Sequence, residues 1–135
     1  VDGDGDVDVL APDESTSVSD DTIEWFENDG SQSFTDHIVA DAADFASSVF
    51  AIDVDGDGDV DVLSASMNDD TVAWHENDGS QSFTDHIVAD AADFASSVFA
   101  IDVDGDGDVD VLAPDESTSV SDDTIEWFEN DGSQS

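Results

Sequence analysis

The chain contains no lysine or arginine but 38 aspartate and glutamate residues, which gives it a formal net charge of −38 at pH 7. Nucleic acid is excluded as a partner because no basic side chain is present to contact phosphate. Anionic membrane surfaces are excluded for the same reason. Charge of one sign at this density opposes a compact state unless counter-ions bind, so the composition itself points to bound cations.

Cysteine is also absent, and no run of about 18 apolar residues occurs. Disulfides therefore cannot stabilise the fold, thiolate ligation of zinc is excluded, and no segment is apolar enough to span a membrane. A sequence this acidic could be a disordered linker. Its 38% hydrophobic residues, however, lie in short periodic runs with Phe and Trp, which favours a folded protein.

The sequence repeats itself almost letter for letter. Val1–Ser33 is identical to Val103–Ser135, and Phe34–Asp53 is identical to Phe83–Asp102. Self-similarity of this kind is typical of a solenoid, a propeller or an array. The chain opens inside the repeated motif, so we expect it to be a window of a longer array.

Long and short units alternate along the chain. The V-D-G-D-G-D core begins at Val1, Val54 and Val103, so its spacing is 53 and then 49 residues. The difference arises because 11–22 has 12 residues where 64–71 has 8. The predicted domains are a partial long-type blade at 1–33, a short-type blade with a complete acidic loop at 34–82, and a long-type blade with a complete loop at 83–135.

Each unit has the pattern of four short β-strands. In the middle of the chain the predicted strands are 48–54, 60–65, 71–76 and 83–89, each bounded by Gly, Asp, Asn or Ser. No window carries a helical stripe, and 89–97 is predicted to be a loop with one short turn. Four strands in about 50 residues make one blade of a β-propeller. We therefore expect an all-β fold of four-stranded antiparallel meanders, with about 2.7 blades as part of a larger propeller, repeat array or assembly.

The tryptophans occupy equivalent positions in the units, and two roles fit them. They fill the core between neighbouring blades, or they stack against a ligand. The packing interpretation is favoured because a single blade cannot bury both of its faces. The three residues are Trp25, Trp74 and Trp127.

The acidic loop D-V-D-G-D-G-D-V-D is the strongest candidate for a functional site. Carboxylates stand at positions 1, 3, 5 and 9, and position 7 can offer its backbone carbonyl. The predicted metal ligands are Asp53, Asp55, Asp57, Asp59 and Asp61 in the middle loop, Asp102, Asp104, Asp106, Asp108 and Asp110 in the third loop, and Asp2, Asp4, Asp6 and Asp8 in the first loop. The first loop has no position-1 aspartate, so its site is predicted to be weaker.

Five carboxylates in nine residues repel one another, at roughly 3 kcal/mol per close pair near a protein surface. Nothing basic offsets this repulsion, so a hard divalent cation is expected. Oxygen-only ligands in a flexible loop favour Ca²⁺ over Mg²⁺. An EF-hand is not indicated, because position 12 is Ser64 and not a bidentate Glu. The alternative is a solvated acidic turn without metal.

The loop is followed by D-V-L-S-A-S, D-D-T-V-A-W-H-E-N-D-G and F-T-D-H-I-V, and this order resembles the FG-GAP/VCBS-type repeat over the whole chain. Such repeats are similar to the calcium-binding blades of integrin α-chain propellers and of some fungal and bacterial propeller lectins. The resemblance implies an extracellular or cell-surface propeller, commonly seven-bladed. It also implies Ca²⁺ in the hairpin between the first two strands of a blade, with the aspartates above as ligands.

No catalytic site is predicted. His37 and His86 each follow an aspartate on a strand, so the two side chains point to opposite faces and form no dyad. His75 stands where Phe26 and Phe128 occur in the long units, which indicates a packing or surface role. Cysteine and lysine are absent, and no serine lies in a nucleophile elbow.

Three functions remain open. The first is an extracellular, calcium-stabilised structural or adhesive module that assembles with further blades or copies of itself. The second is a lectin-like propeller that binds glycans, and the third is a non-catalytic scaffold within a larger secreted enzyme. A protein ligand or glycan would meet the long loop at 13–17 and 115–119, unless that loop is an idle acidic insertion. Blade number, ring closure and oligomeric state are not decided by the sequence.

Overall fold

A computed structural model describes residues 1–13, 21–116 and 123–133. Within these ranges the chain is all-β, and no described segment forms a helix that could cross a membrane. Ten strands are present: β1 (Val9–Pro12), β2 (Ile23–Asn28), β3 (Phe34–Ala40), β4 (Ala46–Ile52), β5 (Asp61–Ser66), β6 (Thr71–Asn77), β7 (Phe83–Ala89), β8 (Phe99–Ile101), β9 (Asp110–Asp115) and β10 (Thr124–Phe128).

The strands form three antiparallel sheets in chain order. The first sheet is β1-β2-β3, the middle sheet is β4-β5-β6-β7, and the third sheet has β9 between β8 and β10. The middle sheet is the predicted four-stranded meander, which confirms an all-β fold of propeller-like blades. The described strands form no closed barrel.

The sheets divide the repeat at a different point from the sequence units 1–33, 34–82 and 83–135. β3 pairs with β2 in the first sheet, and β7 pairs with β6 in the middle sheet. Unit boundaries before Phe34 and Phe83 would therefore separate the last strand of each sheet from its pairing partner. The physical reason is that the tight N-D-G-S-Q-S connection joins antiparallel neighbours, while the longer 90–98 segment leads to the next sheet.

Apolar side chains fill the space between neighbouring sheets. Leu63, Ala65 and Val72 of the middle sheet pack with Val111 and Ala113 of the third sheet. On its other face the middle sheet contributes Val62 to a cluster with Ile23, Trp25 and Val39 of the first sheet. The core prediction holds for Trp25 and Trp74, which are 0% and 6% exposed, whereas Trp127 is 44% exposed because no described sheet covers its face.

The connection between sheets is a compact turn, as predicted. The Ala46 N–H donates to the Ala43 carbonyl, and the Ala95 N–H donates to the Ala92 carbonyl. The Phe94 N–H donates to the Asp70 carboxylate at 3.1 Å, so the short 67–70 loop lies against this connection. Of the proposed recognition loop, Asp13, Asp115 and Glu116 are described, while 14–17 and 117–119 lie outside the described residues.

Candidate metal centre

The middle loop lies between β4 and β5, the first two strands of the middle sheet, and its own backbone shapes it. Asp53 at position 1 accepts N–H hydrogen bonds from Gly56 at 2.7 Å and from Gly58 at 3.0 Å. Asp55 Oδ1 accepts from the Asp57 N–H at 3.1 Å. Both glycines have positive φ, which lets the chain curl tightly enough to direct successive carboxylates inward.

Asp61 at position 9 joins the loop to the far side of the sheet. Asp61 is 1% exposed. Its Oδ2 accepts a hydrogen bond from the Val54 N–H at 3.0 Å, and its Oδ1 accepts one from the Asn77 N–H at 2.8 Å. Burial raises the pKa of the Asp61 carboxyl, while the Asn77 and Val54 N–H groups and the Trp74 indole act in the opposite direction. Asp61 therefore holds the loop against the start of the β6–β7 turn.

Three carboxylates of the middle loop converge. Asp53, Asp55 and Asp61 each offer an oxygen, and these oxygens all lie within 4.8 Å of one another. Ca²⁺ binds oxygen at about 2.3–2.6 Å, so two oxygens on one ion can be no more than about 5 Å apart. Burial raises the pKa of Asp55, and the charges of Asp57, Asp61 and Asp53 raise it further. The donor set, its spacing and its mutual repulsion fit a hard cation.

The third loop converges on a different triplet. Asp102, Asp104 and Asp106, at positions 1, 3 and 5, bring oxygens within 4.8 Å of one another. Asp110 at position 9 repeats the role of Asp61, accepting from the Asn130 and Val103 N–H groups at 2.9 Å each. These two bonds lower the pKa of Asp110. The middle triplet uses positions 1, 3 and 9 and the third triplet uses positions 1, 3 and 5, so neither converging group of the described residues contains all four predicted positions. The full ligand set stays a prediction.

The first loop has the same backbone but a smaller donor set. Asp8 accepts from the Asn28 N–H at 3.0 Å and pairs with the amino group of Val1. Asp2 and Asp4 accept from the N–H groups of Asp4 and Asp6. Among the described residues, these aspartates do not form a third converging group. The weaker first site therefore stays a prediction.

The position-7 carboxylates contact the neighbouring N-D-G turn. A Cβ placed on Gly79 would lie 2.5 Å from Asp59 Oδ2, and the pairs Gly30–Asp6 and Gly132–Asp108 repeat this approach. The turn is closed by Asp78, whose pKa is lowered chiefly by the hydrogen bonds from the Ser80 hydroxyl and N–H. Loop and turn thus share one end of the sheet, and the Asp59 side chain lies against Gly79 of the turn.

Gly79→Ala is expected to destabilise the chain more than Gly56→Ala. Both glycines have similar φ values, 75° and 78°, so the left-handed strain of about 1–2 kcal/mol is shared. Only Gly79 has a neighbour, since nothing lies within 4 Å of a Cβ at Gly56. Urea denaturation should show an excess loss of about 1 kcal/mol for Gly79→Ala. Asp59→Ala should remove that excess in the double variant, and equal losses for both glycine variants would contradict the contact.

The three histidines make cross-strand hydrogen bonds that were not predicted from the sequence. His37 and His86 bond Glu27 and Glu76 across strands at 2.8 and 2.7 Å, so they form no dyad with the preceding aspartates. His75 is only 3% exposed, and its Nδ1 lies 2.7 Å from Asp85 Oδ1. A cross-strand pair depends on register, which single-strand alternation does not reveal. The sequence does carry one sign of the His75 contacts: the short unit has Ser64 and His75 where the long units have Ala and Phe.

A family model for the FG-GAP-like repeat matches the chain twice, at residues 1–64 and 53–113. The matches together cover more than half of the sequence, and both include a complete or partial acidic loop. The chain therefore belongs to the FG-GAP-like repeat family. Searches among curated proteins and among solved structures found no significant match. Members of this family are typically non-catalytic extracellular modules that commonly bind Ca²⁺.

Proposed function

We propose that this chain is an extracellular structural or adhesive repeat module whose blades are stabilised by Ca²⁺. The observation that carries the proposal is the convergence of Asp53, Asp55 and Asp61 within 4.8 Å inside an FG-GAP-like repeat, together with a second converging triplet in the third loop. Such a role uses the bound ion for folding and requires no catalysis.

Calcium would bind in the acidic loop of a sheet, where it would offset the repulsion between the carboxylates. Asp53, Asp55, Asp57 and Asp61 would hold the ion in the middle loop, with the Asp59 carbonyl as a further donor; Asp102, Asp104, Asp106, Asp110 and the Asp108 carbonyl would do so in the third loop. Binding that favours the folded chain adds about 2.7 kcal/mol of stability when free Ca²⁺ is 100 times the Kd. This contribution is a large share of the stability of a small domain.

The partner best supported is a further blade or a second copy of this chain. Ile125 and Trp127 on β10 are 80% and 44% exposed, whereas their equivalents Ile23 and Trp25 are both 0% exposed beneath the middle sheet. A sheet of the same kind would cover this apolar face as the middle sheet covers the first. A glycan or protein ligand is the alternative, and a glycan array would detect a lectin-like activity.

Calorimetric titration is expected to find two strong Ca²⁺ sites per chain. Asp53→Asn combined with Asp55→Asn should weaken one site by at least about tenfold, because affinity in oxygen sites follows the number of charged ligands. Asp102→Asn with Asp104→Asn should weaken the other. Asp41→Asn, an exposed aspartate outside the loops, is the control for a general change of charge. Unchanged stoichiometry and affinity in both loop variants would refute the assignment.

A further inference from the structure

Three polar side chains of the middle sheet form a continuous hydrogen-bonded chain that the calcium site does not use. Ser64 Oγ lies 3.0 Å from His75 Nε2, and His75 Nδ1 lies 2.7 Å from Asp85 Oδ1. The residues stand on the adjacent strands β5, β6 and β7. On β7, Asp85 is directly opposite His75. On β5, Val62 is directly opposite His75, so Ser64, two residues further along, is the diagonal neighbour of His75. Register therefore places all three on one face.

The protonation pattern follows from the partners. A carboxylate can only accept a hydrogen bond, so the His75 proton lies on Nδ1, toward Asp85. Nε2 is then a free acceptor for the Ser64 hydroxyl proton. A serine within hydrogen-bonding distance of a histidine that a carboxylate orients is the arrangement of an activated nucleophile.

The serine and histidine border a cavity between the first and middle sheets. Its volume is about 80 Å³, and its walls include Ser64, Ser66 and His75 on one side and Ala40 and Ala43 on the other. Ser64 is only 1% exposed, so a substrate has to reach it through this cavity. A cavity of about 150 Å³ holds benzene, so this one takes only the acetyl end of an ester, and the alcohol part has to lie outside it. Asp85 also lines the cavity, and its side chain is 58% exposed, which places solvent at that end.

The long units show that the sheet does not need this polar chain. They carry Ala113 in place of Ser64 and Phe128 in place of His75, whereas Leu and Trp at the flanking positions are the same in every unit. Ala113 packs in the apolar cluster between the middle and third sheets, with Phe128 against it. The serine and histidine are thus a feature of the middle sheet, and the equivalent residues of the third sheet pack as apolar side chains.

We propose that Ser64 is a nucleophilic serine that accepts the acyl group of small esters. His75 removes the Ser64 hydroxyl proton as Oγ bonds to the ester carbonyl carbon, and Asp85 holds the imidazole in the required tautomer. Collapse of the tetrahedral intermediate breaks the ester C–O bond, and His75 returns the proton to the leaving alcohol. Water then hydrolyses the acyl-serine by the same route.

The neighbouring hydroxyl completes the site. Ser66 is two residues along β5 from Ser64, so its side chain is on the same face, and it lines the same cavity. Its Oγ–H can donate to the oxyanion that forms during attack. Because the chain holds no lysine or arginine, the hydrogen bond from Ser66 is a neutral one, and activated esters are the expected substrates.

The test is acetylation of the full chain, in Ca²⁺ buffer, by p-nitrophenyl acetate, with the adduct mapped by peptide mass spectrometry. Ser64 should be acetylated with release of p-nitrophenolate. His75→Phe should slow this at least about 100-fold, as loss of a general base does. Ser64→Ala should abolish the adduct at this peptide. Both variants introduce the residues that the long units carry, and circular dichroism is used to check that each remains folded.

Asp85 acts by positioning His75, so its role is tested separately by comparing the acetylation rate with the melting temperature. Asp85→Asn should slow acetylation at least tenfold while the melting temperature stays unchanged, and Asp85→Glu should restore part of the rate. Ser66→Ala should slow acetylation, whereas Ser80→Ala in the exposed turn should not. A folded wild-type chain without an adduct on Ser64, or an adduct that forms equally fast in His75→Phe, would overturn the proposal. Neither result bears on Ca²⁺ binding.

Discussion

Asp61→Ala is expected to lower the free energy of unfolding by about 3–5 kcal/mol, even when no metal is present. The buried carboxylate accepts from the Val54 and Asn77 N–H groups at 3.0 and 2.8 Å, and its removal leaves both donors without their partner. An unsatisfied buried donor costs about 1–3 kcal/mol. Since small domains are stable by only about 5–15 kcal/mol, this loss is a large share of the total, and the variant should unfold at a clearly lower urea concentration than the wild type.

The measurement is urea denaturation in EDTA, which separates the structural role of Asp61 from metal ligation. Asp57→Ala removes the same charge from the same loop, but Asp57 is exposed and accepts only the Asp59 N–H at 2.8 Å. Its loss should be about 1 kcal/mol or less. Asp61→Asn keeps one acceptor and should fall between the two. A loss for Asp61→Ala no greater than for Asp57→Ala would show that the loop does not depend on this residue.

In EDTA the chain is expected to become more stable as the pH falls from 7 toward 4, and saturating Ca²⁺ should reverse that trend. Burial raises the folded-state pKa of Asp55 and Asp61 above 3.8, so these two carboxyls bind more protons in the folded chain than in the unfolded chain in this range. Their protonation favours folding, and the contribution is lost as the pH rises through the raised pKa values. With Ca²⁺ the ligands must be deprotonated, so stability is lost as the pH falls.

Below pH 3.8 the metal-free chain should lose stability again. Asp29, Asp78, Asp110 and Asp131 have lowered pKa values because they accept hydrogen bonds, so their contribution disappears as the pH falls through those values. Thermal melts between pH 3 and 7, in EDTA and in excess Ca²⁺, should therefore show a maximum only in EDTA. Parallel profiles under the two conditions would mean that Ca²⁺ does not bind the Asp55 and Asp61 carboxylates.

The strands and the acidic loop could be predicted from the sequence because both are local. Alternating Val, Phe and Ile residues between Gly, Asp and Asn turns specify antiparallel strands, and the predicted strand 83–89 coincides with β7. Two glycines with positive φ among regularly spaced aspartates allow only a tight acidic curl. The repetition itself indicated stacked sheets, because a sheet with two apolar faces needs a neighbour on each side.

Only the tertiary structure decided which side chains meet across strands and sheets. Asp61 binds the N–H of Asn77, 16 residues away, and this contact depends on the β5–β6 register. The β5–β6 register also brings Ser64 to His75, and the β6–β7 register places Asp85 opposite His75. Ala40 and Ala43 line the other side of their cavity. A one-residue slip would send each of these side chains to the opposite face. Composition and spacing determined the kind of blade and its acidic loop; pairing register and sheet stacking determined the buried Asp61 contacts and the serine-lined cavity.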